Sequence, residues 1–463
     1  MRFFLWAVLC FLSSMCHAVS DLVFEVGAPA SEGSEITINN LPVKKDGNEL
    51  TALSLTTLQP NIITIGNKVH ELKLDSIAAD QIVPIKINYT DKSIDYNLRV
   101  LPADMPSYEF NKKSEISGCI LTSFHVLSLN KPSYAVMIDD KGKLLWFMGT
   151  QDPYTTIFHP QKWDLSGRTL YSYHVQDSPS MTGAWILGDN VVLDANFKEI
   201  DRVRILETER HPEMSADQHD FVILGDKHYL VISYWPENIK KPDGTELSII
   251  SAVIQEQKDG MVIFDWVSSD YDRLFDICIE NCPTVWNSYM DYIHINSVAV
   301  DPTDNNLIVS LASPHSVIKL DRNSGDIIWV FSGQGDEFNI PSEYQLTRQH
   351  DAHIEDGHLV IFDNNYSIIS KISSVPNKTD EARLLRFKLD EKNKRVQEVS
   401  SIPLGATAPY MGSAQGLGNG LWNMGCGSSE TCITKIVDET GNDVLSVKVA
   451  SPYTSYRVYF YPE

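Results

Sequence analysis

Four histidines share a local setting along the chain: Phe158-His159-Pro160, Gln218-His219-Asp220, Ile293-His294-Ile295-Asn296 and Gln349-His350-Asp351. A short apolar run begins within 14 residues of each, at Thr169-Leu170-Tyr171, Tyr229-Leu230-Val231, Leu307-Ile308-Val309 and Leu359-Val360-Ile361. A neutral imidazole nitrogen is a nucleophile near neutral pH, and an imidazole also passes protons, so several in one pocket could carry a group-transfer reaction. A single histidine beside a strand is more often a hydrogen-bonded structural residue. Thirteen histidines placed at random would seldom take the same phase in successive repeats, so the recurrence predicts a shared pocket for at least three of the four.

The elements that would position them also repeat. A polar turn followed by a short apolar strand, often ended by tryptophan, recurs at 139–146, 194–203, 257–266, 321–329, 390–399 and 438–447. The starts differ by 55, 63, 64, 69 and 48 residues, and no long helical period interrupts them. This pattern predicts an all-β fold with a six-bladed β-propeller over 106–463, in which the start of each innermost strand lines one end of the central channel. Residues 19–105 alternate apolar and polar over short runs and predict a small β-sandwich domain. The run Leu101-Pro102-Ala103-Asp104-Met105-Pro106 reads as a linker, because proline cannot donate to a sheet ladder.

Residues 1–18 have the charged start, apolar run and small-residue end of a secretory signal peptide, so a mature chain would begin near Val19. Cys16 leaves a lipoprotein as the minor alternative, since Ser13-Ser14-Met15 is a poor approach to a lipidated cysteine. No stable membrane insertion is expected, because no later segment reaches the roughly 18 uninterrupted apolar residues that a spanning helix needs. With 38 basic and 61 acidic residues among 463, the formal charge is -23. That balance argues against nucleic acid and anionic membranes as partners, and an anionic substrate would need a locally positive pocket.

Five cysteines follow the signal: Cys119, Cys278, Cys282, Cys426 and Cys432. In an oxidising compartment the close pairs Cys278/Cys282 and Cys426/Cys432 are candidate disulfides, and Cys119 is the odd thiol. A zinc reading of Cys278/Cys282 is weaker, since no second Cys/His pair sits at finger spacing. Clustered histidines sometimes bind a metal, but a tetrahedral anion satisfies the same donors, so no metal and no cofactor are expected. The chain has no phosphate-binding Gly-Lys-Ser/Thr loop, no Gly-x-Ser-x-Gly elbow and no calcium-type carboxylate set at repeat phase.

Gln218-His219-Asp220-Phe221, Phe264-Asp265-Trp266-Val267-Ser268-Ser269-Asp270, Asp291-Tyr292-Ile293-His294-Ile295-Asn296-Ser297, Arg348-Gln349-His350-Asp351-Ala352 and Leu359-Val360-Ile361-Phe362-Asp363-Asn364 follow one another in order. In these motifs, and over nearly all of the mature chain, the sequence resembles the aryl-sulfate sulfotransferases, exported enzymes that move a sulfuryl group between phenols without a nucleotide donor. The resemblance implies a periplasmic or secreted enzyme with a phenolic sulfate donor and a phenol acceptor. It implies His350 as a nucleophile that becomes a covalent sulfohistidine, with His219, His294 and Asn296 holding the sulfate and phenolic oxygens. Arg348 and His159 complete the expected substrate-binding set. Asp351 is either an orienting carboxylate for a ring nitrogen or a turn residue. A homodimer, and a thiol-disulfide oxidoreductase acting during maturation, are the further partners to consider.

The chain departs from the family pattern in two places. An arginine is expected shortly after the His294 motif, where Val309-Ser310-Leu311-Ala312-Ser313-Pro314-His315 offers Ala312; losing such a donor commonly costs about 10²–10³ in rate. Arg348 and His315 are candidates to replace its charge. The family's disulfide, with five intervening residues, precedes its nucleophile, whereas Cys426 and Cys432 follow His350. Gln415, Trp422 and Asn423 are candidate pocket-lining groups, with core packing favoured for Trp422. The alternative to an enzyme is a non-catalytic ligand-binding propeller that has lost part of its sulfate-binding set.

Overall fold

The computed structural model describes residues 105–126, 131–150, 155–176, 186–241, 244–278, 289–367 and 378–463, together with strand backbone at 282–283 and in the first hundred residues. Two compact units divide between Pro106 and Ser107. In the first, Leu22–Glu25 pairs in parallel with Ile82–Asn88, which pairs with Ser93–Leu101. Glu49–Leu53 lies parallel on the other side of Ser93–Leu101, and the path continues through Leu41–Asp46, Ile36–Ile38, Asn61–Ile65 and Lys68–Leu72. The expected signal segment and the packing of this unit as a sandwich lie outside the described residues.

The second unit is a six-bladed β-propeller of antiparallel, mostly four-stranded sheets. Blade 2 runs through Ile157–Leu165, Arg168–Gln176, Leu187–Leu193 and Glu199–Val203. Blade 3 comprises Phe221–Gly225, His228–Lys240, Glu246–Lys258 and Met261–Val267. Blade 4 comprises Ile295–Val300, Leu307–Leu311, Ser316–Leu320 and Ile327–Phe331. Blade 5 is His350–Glu355, His358–Asp363, Arg383–Asp390 and Arg395–Pro403. Blade 6 is Ser413–Gly418, Leu421–Gly425, Thr434–Asp438 and Asp443–Val449.

Blade 1 closes the ring. Its innermost strand is the last of the chain, Val458–Pro462, paired with Gly118–Phe124; Tyr134–Asp139 and Leu144–Gly149 complete it. Tyr108–Lys112 meanwhile adds an outer strand to blade 6 beside Asp443–Val449. Both chain ends of this unit are thus spent on ladder pairing, which leaves no exposed seam where the circle meets.

The six repeated turns are the hairpins between the third and fourth strands of the blades. In four of them one aspartate oxygen accepts two backbone N–H groups: Asp139 from Lys141 and Lys143, Asp194 from Asn196 and Lys198, Asp321 from Asn323 and Ser324, and Asp438 from Thr440 and Asn442. The short carboxylate replaces backbone partners that a tight turn cannot supply, which explains its recurrence. Apolar layers fill the spaces between blades. Leu230, Ile254, Trp266, Leu307 and Val309 pack between blades 3 and 4, and Trp329, Phe331, Leu359 and Phe387 between blades 4 and 5.

One of the ionic contacts between blades is a buried cluster. Lys319 in blade 4 is 1% exposed, and its ammonium lies 2.8 Å from Asp301, 2.7 Å from Asp304 and 2.9 Å from Glu391 in the blade 5 hairpin. Glu391 also accepts the Trp329 indole N–H. Removing one side of a buried ion cluster leaves the other uncompensated, so Lys319→Met should cost about 3 kcal/mol of stability. That figure is at the lower end because Asp304 and Glu391 keep access to water. A denaturant midpoint no lower than that of the parent would show that the cluster contributes nothing.

Candidate active site

Where the inner strands begin, the chain must leave one blade and enter the next, and the histidines stand at these entries. His350 opens its strand, His294 precedes one by a residue, His219 by two, and His159 is the third residue of its strand. The shared phase therefore holds to within a few residues. His159 and His294 have φ of 51° and 46°, left-handed values that turn their side chains away from the regular strand alternation. The His219 and His294 rings stand edge to face at 5.0 Å between centroids. Tyr456, just before the last strand, is 5.7 Å from His219, 5.7 Å from His159 and 6.4 Å from His350. Three of the four histidines of the sequence pattern thus surround one tyrosine, His294 joins them through His219, and all four are buried.

Each of three rings is oriented by an oxygen at Nδ1. His219 donates to Asp217 at 2.5 Å, His294 donates to Asp291 at 2.7 Å, and His350 donates to the Asn364 side-chain oxygen at 2.7 Å. The Asn364 amide cannot turn, because its nitrogen donates to the carbonyls of Ala408 and Met411 at 2.7 and 2.8 Å. Its oxygen therefore faces His350, and the proton of a neutral His350 sits on Nδ1. Nε2 keeps its lone pair and accepts a longer bond of 3.3 Å from the Met411 N–H. Burial holds the His350 ring well below the usual histidine range, with the neighbouring Arg457, His219 and His294 acting in the same direction. A neutral imidazole with Nε2 unprotonated is the nucleophilic form.

Asn296 donates to the Gln349 carbonyl at 2.6 Å, while its side-chain oxygen is buried without a partner. Arg348, half-buried with φ of 53°, is tied in through its backbone: its N–H donates to His315 Nδ1 at 2.9 Å, and its carbonyl lies 3.1 Å from His350 Nδ1. Ala312 is buried, with its N–H on the His294 carbonyl. The Arg457 guanidinium reaches the histidines, with Nη1 3.5 Å from His159 Nε2. Phe158, Met411 and Tyr456 form an apolar cluster beside His350.

Asp351 accepts the Ala414 N–H and pairs with Arg457 at 3.1 Å, so it is neither a turn carboxylate alone nor the group that holds Nδ1 of His350. Gln415 and Asn423 are spent on the last strand: Gln415 exchanges both bonds with the Phe460 backbone, and Asn423 donates to the Val458 carbonyl. Trp422 is buried under the Arg386 guanidinium at 4.4 Å. The sulfurs of Cys426 and Cys432 stand at disulfide distance, 2.19 Å. The Cys278/Cys282 pairing involves a side chain, that of Cys282, outside the described residues.

The sequence motifs do not single out Asp217, Asp291, Tyr456 or Arg457. Asp217 and Asp291 lie two and three residues before their histidines, a spacing that could have drawn attention to them. Arg457 is the one charge in Tyr456-Arg457-Val458-Tyr459-Phe460-Tyr461, and a lone cation in an otherwise apolar and aromatic strand is itself a signal.

Among solved structures, the chain is similar to a protein of unknown function from Bacteroides caccae, at 11% identity and a TM-score of 0.41 over 75% of this chain and 100% of that one. It is also similar to a putative 6-phosphogluconolactonase from Bacteroides fragilis, at 11% identity and a TM-score of 0.32 over 76% and 99% of the two chains. Kuenenia stuttgartiensis hydrazine synthase aligns at 11% identity and a TM-score of 0.33 over 71% and 78%. These likenesses are too distant to bear on the site. No curated protein gives a significant match. The family model described as Arylsulfotransferase (ASST) matches residues 108–457, from the outer strand of blade 6 to Arg457 itself, and the chain belongs to that family.

Proposed function

We propose that the protein transfers a sulfuryl group from a phenolic sulfate ester to a phenol in two displacements through His350. Aryl sulfotransfer is the chemistry of the family. The observation that carries the finer reading is the His350 tautomer, fixed by Asn364 with Nε2 unprotonated beside two further imidazoles. In the first step the Nε2 lone pair attacks sulfur, an N–S bond forms, and the S–O bond to the aryl group breaks with its electron pair on the departing phenolate. In the second step the acceptor oxygen attacks the same sulfur, the N–S bond breaks, and its electrons return to Nε2. The phenolic proton passes to Nε2 of His219 or His294, where Asp217 or Asp291 offsets the charge of the imidazolium.

The unpartnered Asn296 oxygen suits the acceptor O–H, and the apolar cluster of Phe158, Met411 and Tyr456 suits an aryl ring. Arg348 and His159 are assigned to binding the sulfate group. An oxidising compartment outside the cytoplasm suits the Cys426/Cys432 pair. A chromogenic aryl sulfate is expected to release its phenol continuously only when a second phenol is present, and to leave one sulfuryl group on the His350 peptide by mass when it is absent. Ala312 favours a second reading, a propeller that binds aryl sulfates without turning them over. Binding with neither adduct nor release would select it.

The neutral partner of His350 gives a pH test. In Asn364→Asp a carboxylate at Nδ1 stabilises the imidazolium, so the nucleophilic form is lost at higher pH than in the parent. The acid limb of kcat/KM should move upward by about one pH unit or more, so that the deficit relative to the parent grows as the pH falls. An unmoved limb would mean that His350 ionisation does not control the first step.

A further inference from the structure

Arg457 is 2% exposed, yet its guanidinium is drawn toward five places at once. Nη1 lies 3.1 Å from Asp351, 3.4 Å from Asp220, 3.2 Å from the Tyr459 hydroxyl and 3.5 Å from His159 Nε2, and Nη2 donates to the Asn296 carbonyl at 2.7 Å. These partners come from blades 1 to 5. Each of those in blades 2 to 5 is a histidine of the site or within two residues of one: His159 itself, Asp220 after His219, Asn296 beyond His294, and Asp351 after His350.

The two aspartates extend the connection around the channel. Asp220 accepts the Val298 N–H of blade 4 at 2.9 Å, and Asp351 accepts the Ala414 N–H of blade 6 at 2.9 Å. Asp220 thus bridges blades 3 and 4, Asp351 bridges blades 5 and 6, and one cation from the closing strand holds both bridges. A planar fork presents five donors in fixed directions, whereas an ammonium presents three on a flexible stem.

On the basis of the sulfotransfer reading, we infer that Arg457 is the positioning residue that keeps the histidines of separate blades in register for sulfuryl transfer. It does so as the shared countercharge of Asp220 and Asp351. It is distinct from the donor expected at Ala312: it enters from just before the last strand, and it bonds the backbone and side chains that carry the site residues. A second consequence is electrostatic. The groups facing His350 are His219 from blade 3, His294 from blade 4, Arg457 and Tyr456 from the closing segment, and Met411 and Asn364, which do not titrate. Arg457 is the fixed positive charge in that set, so its removal, with Asp351 left uncompensated nearby, favours the protonated form of His350.

Three variants test this in the full chain. Arg457→Lys keeps the charge and loses the fork; kcat for aryl sulfate and phenol should fall about 10²-fold while KM for the donor changes less than about threefold. Arg457→Met combined with Asp220→Asn and Asp351→Asn removes the buried charges together, which limits the folding penalty. In this triple variant kcat should fall at least as far. Histidine-ring NMR, with His350 assigned by loss of its signal in His350→Gln, should show in Arg457→Met a titration midpoint above that of the parent. The NMR arm needs no turnover, so a parent protein inactive on aryl sulfates would sink the sulfotransfer reading while the positional effect on His350 stayed measurable. Parent-like kcat in Arg457→Lys, or losses of kcat and KM that merely follow the folded fraction, would overturn the inference. So would an unshifted His350 midpoint in Arg457→Met.

Discussion

His350→Ala is expected to lose sulfuryl transfer by about 10⁴-fold or more, because no other group can take over an N–S bond once the attacking nitrogen is gone. The competing contribution is small: the remaining imidazoles can still bind sulfate, but they are oriented through Nδ1 by Asp217 and Asp291. His350 is 5% exposed and its truncation leaves the Asn364 and Met411 contacts unmade, so folding must be checked alongside. The measurement is release of a chromogenic phenol with acceptor present, together with the mass of the peptide spanning residue 350 after donor alone. Full turnover in the variant would remove His350 from the role of nucleophile.

The second large effect is expected at the carboxylate-held pair. His294→Gln and His219→Gln keep a polar group in place but cannot accept and return a proton, and each should lower kcat by about 10²–10⁴ with a poor leaving group. A donor whose phenolate leaves readily needs little protonation, so the deficit in the first step should shrink at least tenfold with a nitrophenyl ester. An equal deficit for good and poor leaving groups would assign these rings to binding the sulfate oxygens. The double variant separates the cases further, because two rings 5.0 Å apart that share one proton would give losses well short of additive.

Much of this architecture was legible before any coordinates. The aspartate of four of the six third hairpins is a local device, since its carboxylate bonds backbone groups two to four residues away, and local devices repeat visibly. The histidines were also legible, although as a family of positions; the left-handed φ at His159 and His294 shifts them by a residue or two from strict equivalence. The buried cation among the histidines was not. Arg348 and His315, the candidates read from the sequence, meet each other and His350 through the Arg348 backbone. The guanidinium among the histidines comes from the far end of the propeller.

The division follows from the range of the forces involved. Turn chemistry, strand alternation and the choice of imidazole as the reactive group act over a few residues, and the amino-acid order by itself determined them. Which nitrogen of His350 carries its proton depends on Asn364, whose amide is fixed by carbonyls 44 and 47 residues further on. Arg457 meets His159 across 298 residues and Asn296 across 161. Such partners become neighbours only when the last strand closes the ring, because a circular arrangement of blades brings the two ends of the propeller unit into one blade, and that pairing only the tertiary structure decided.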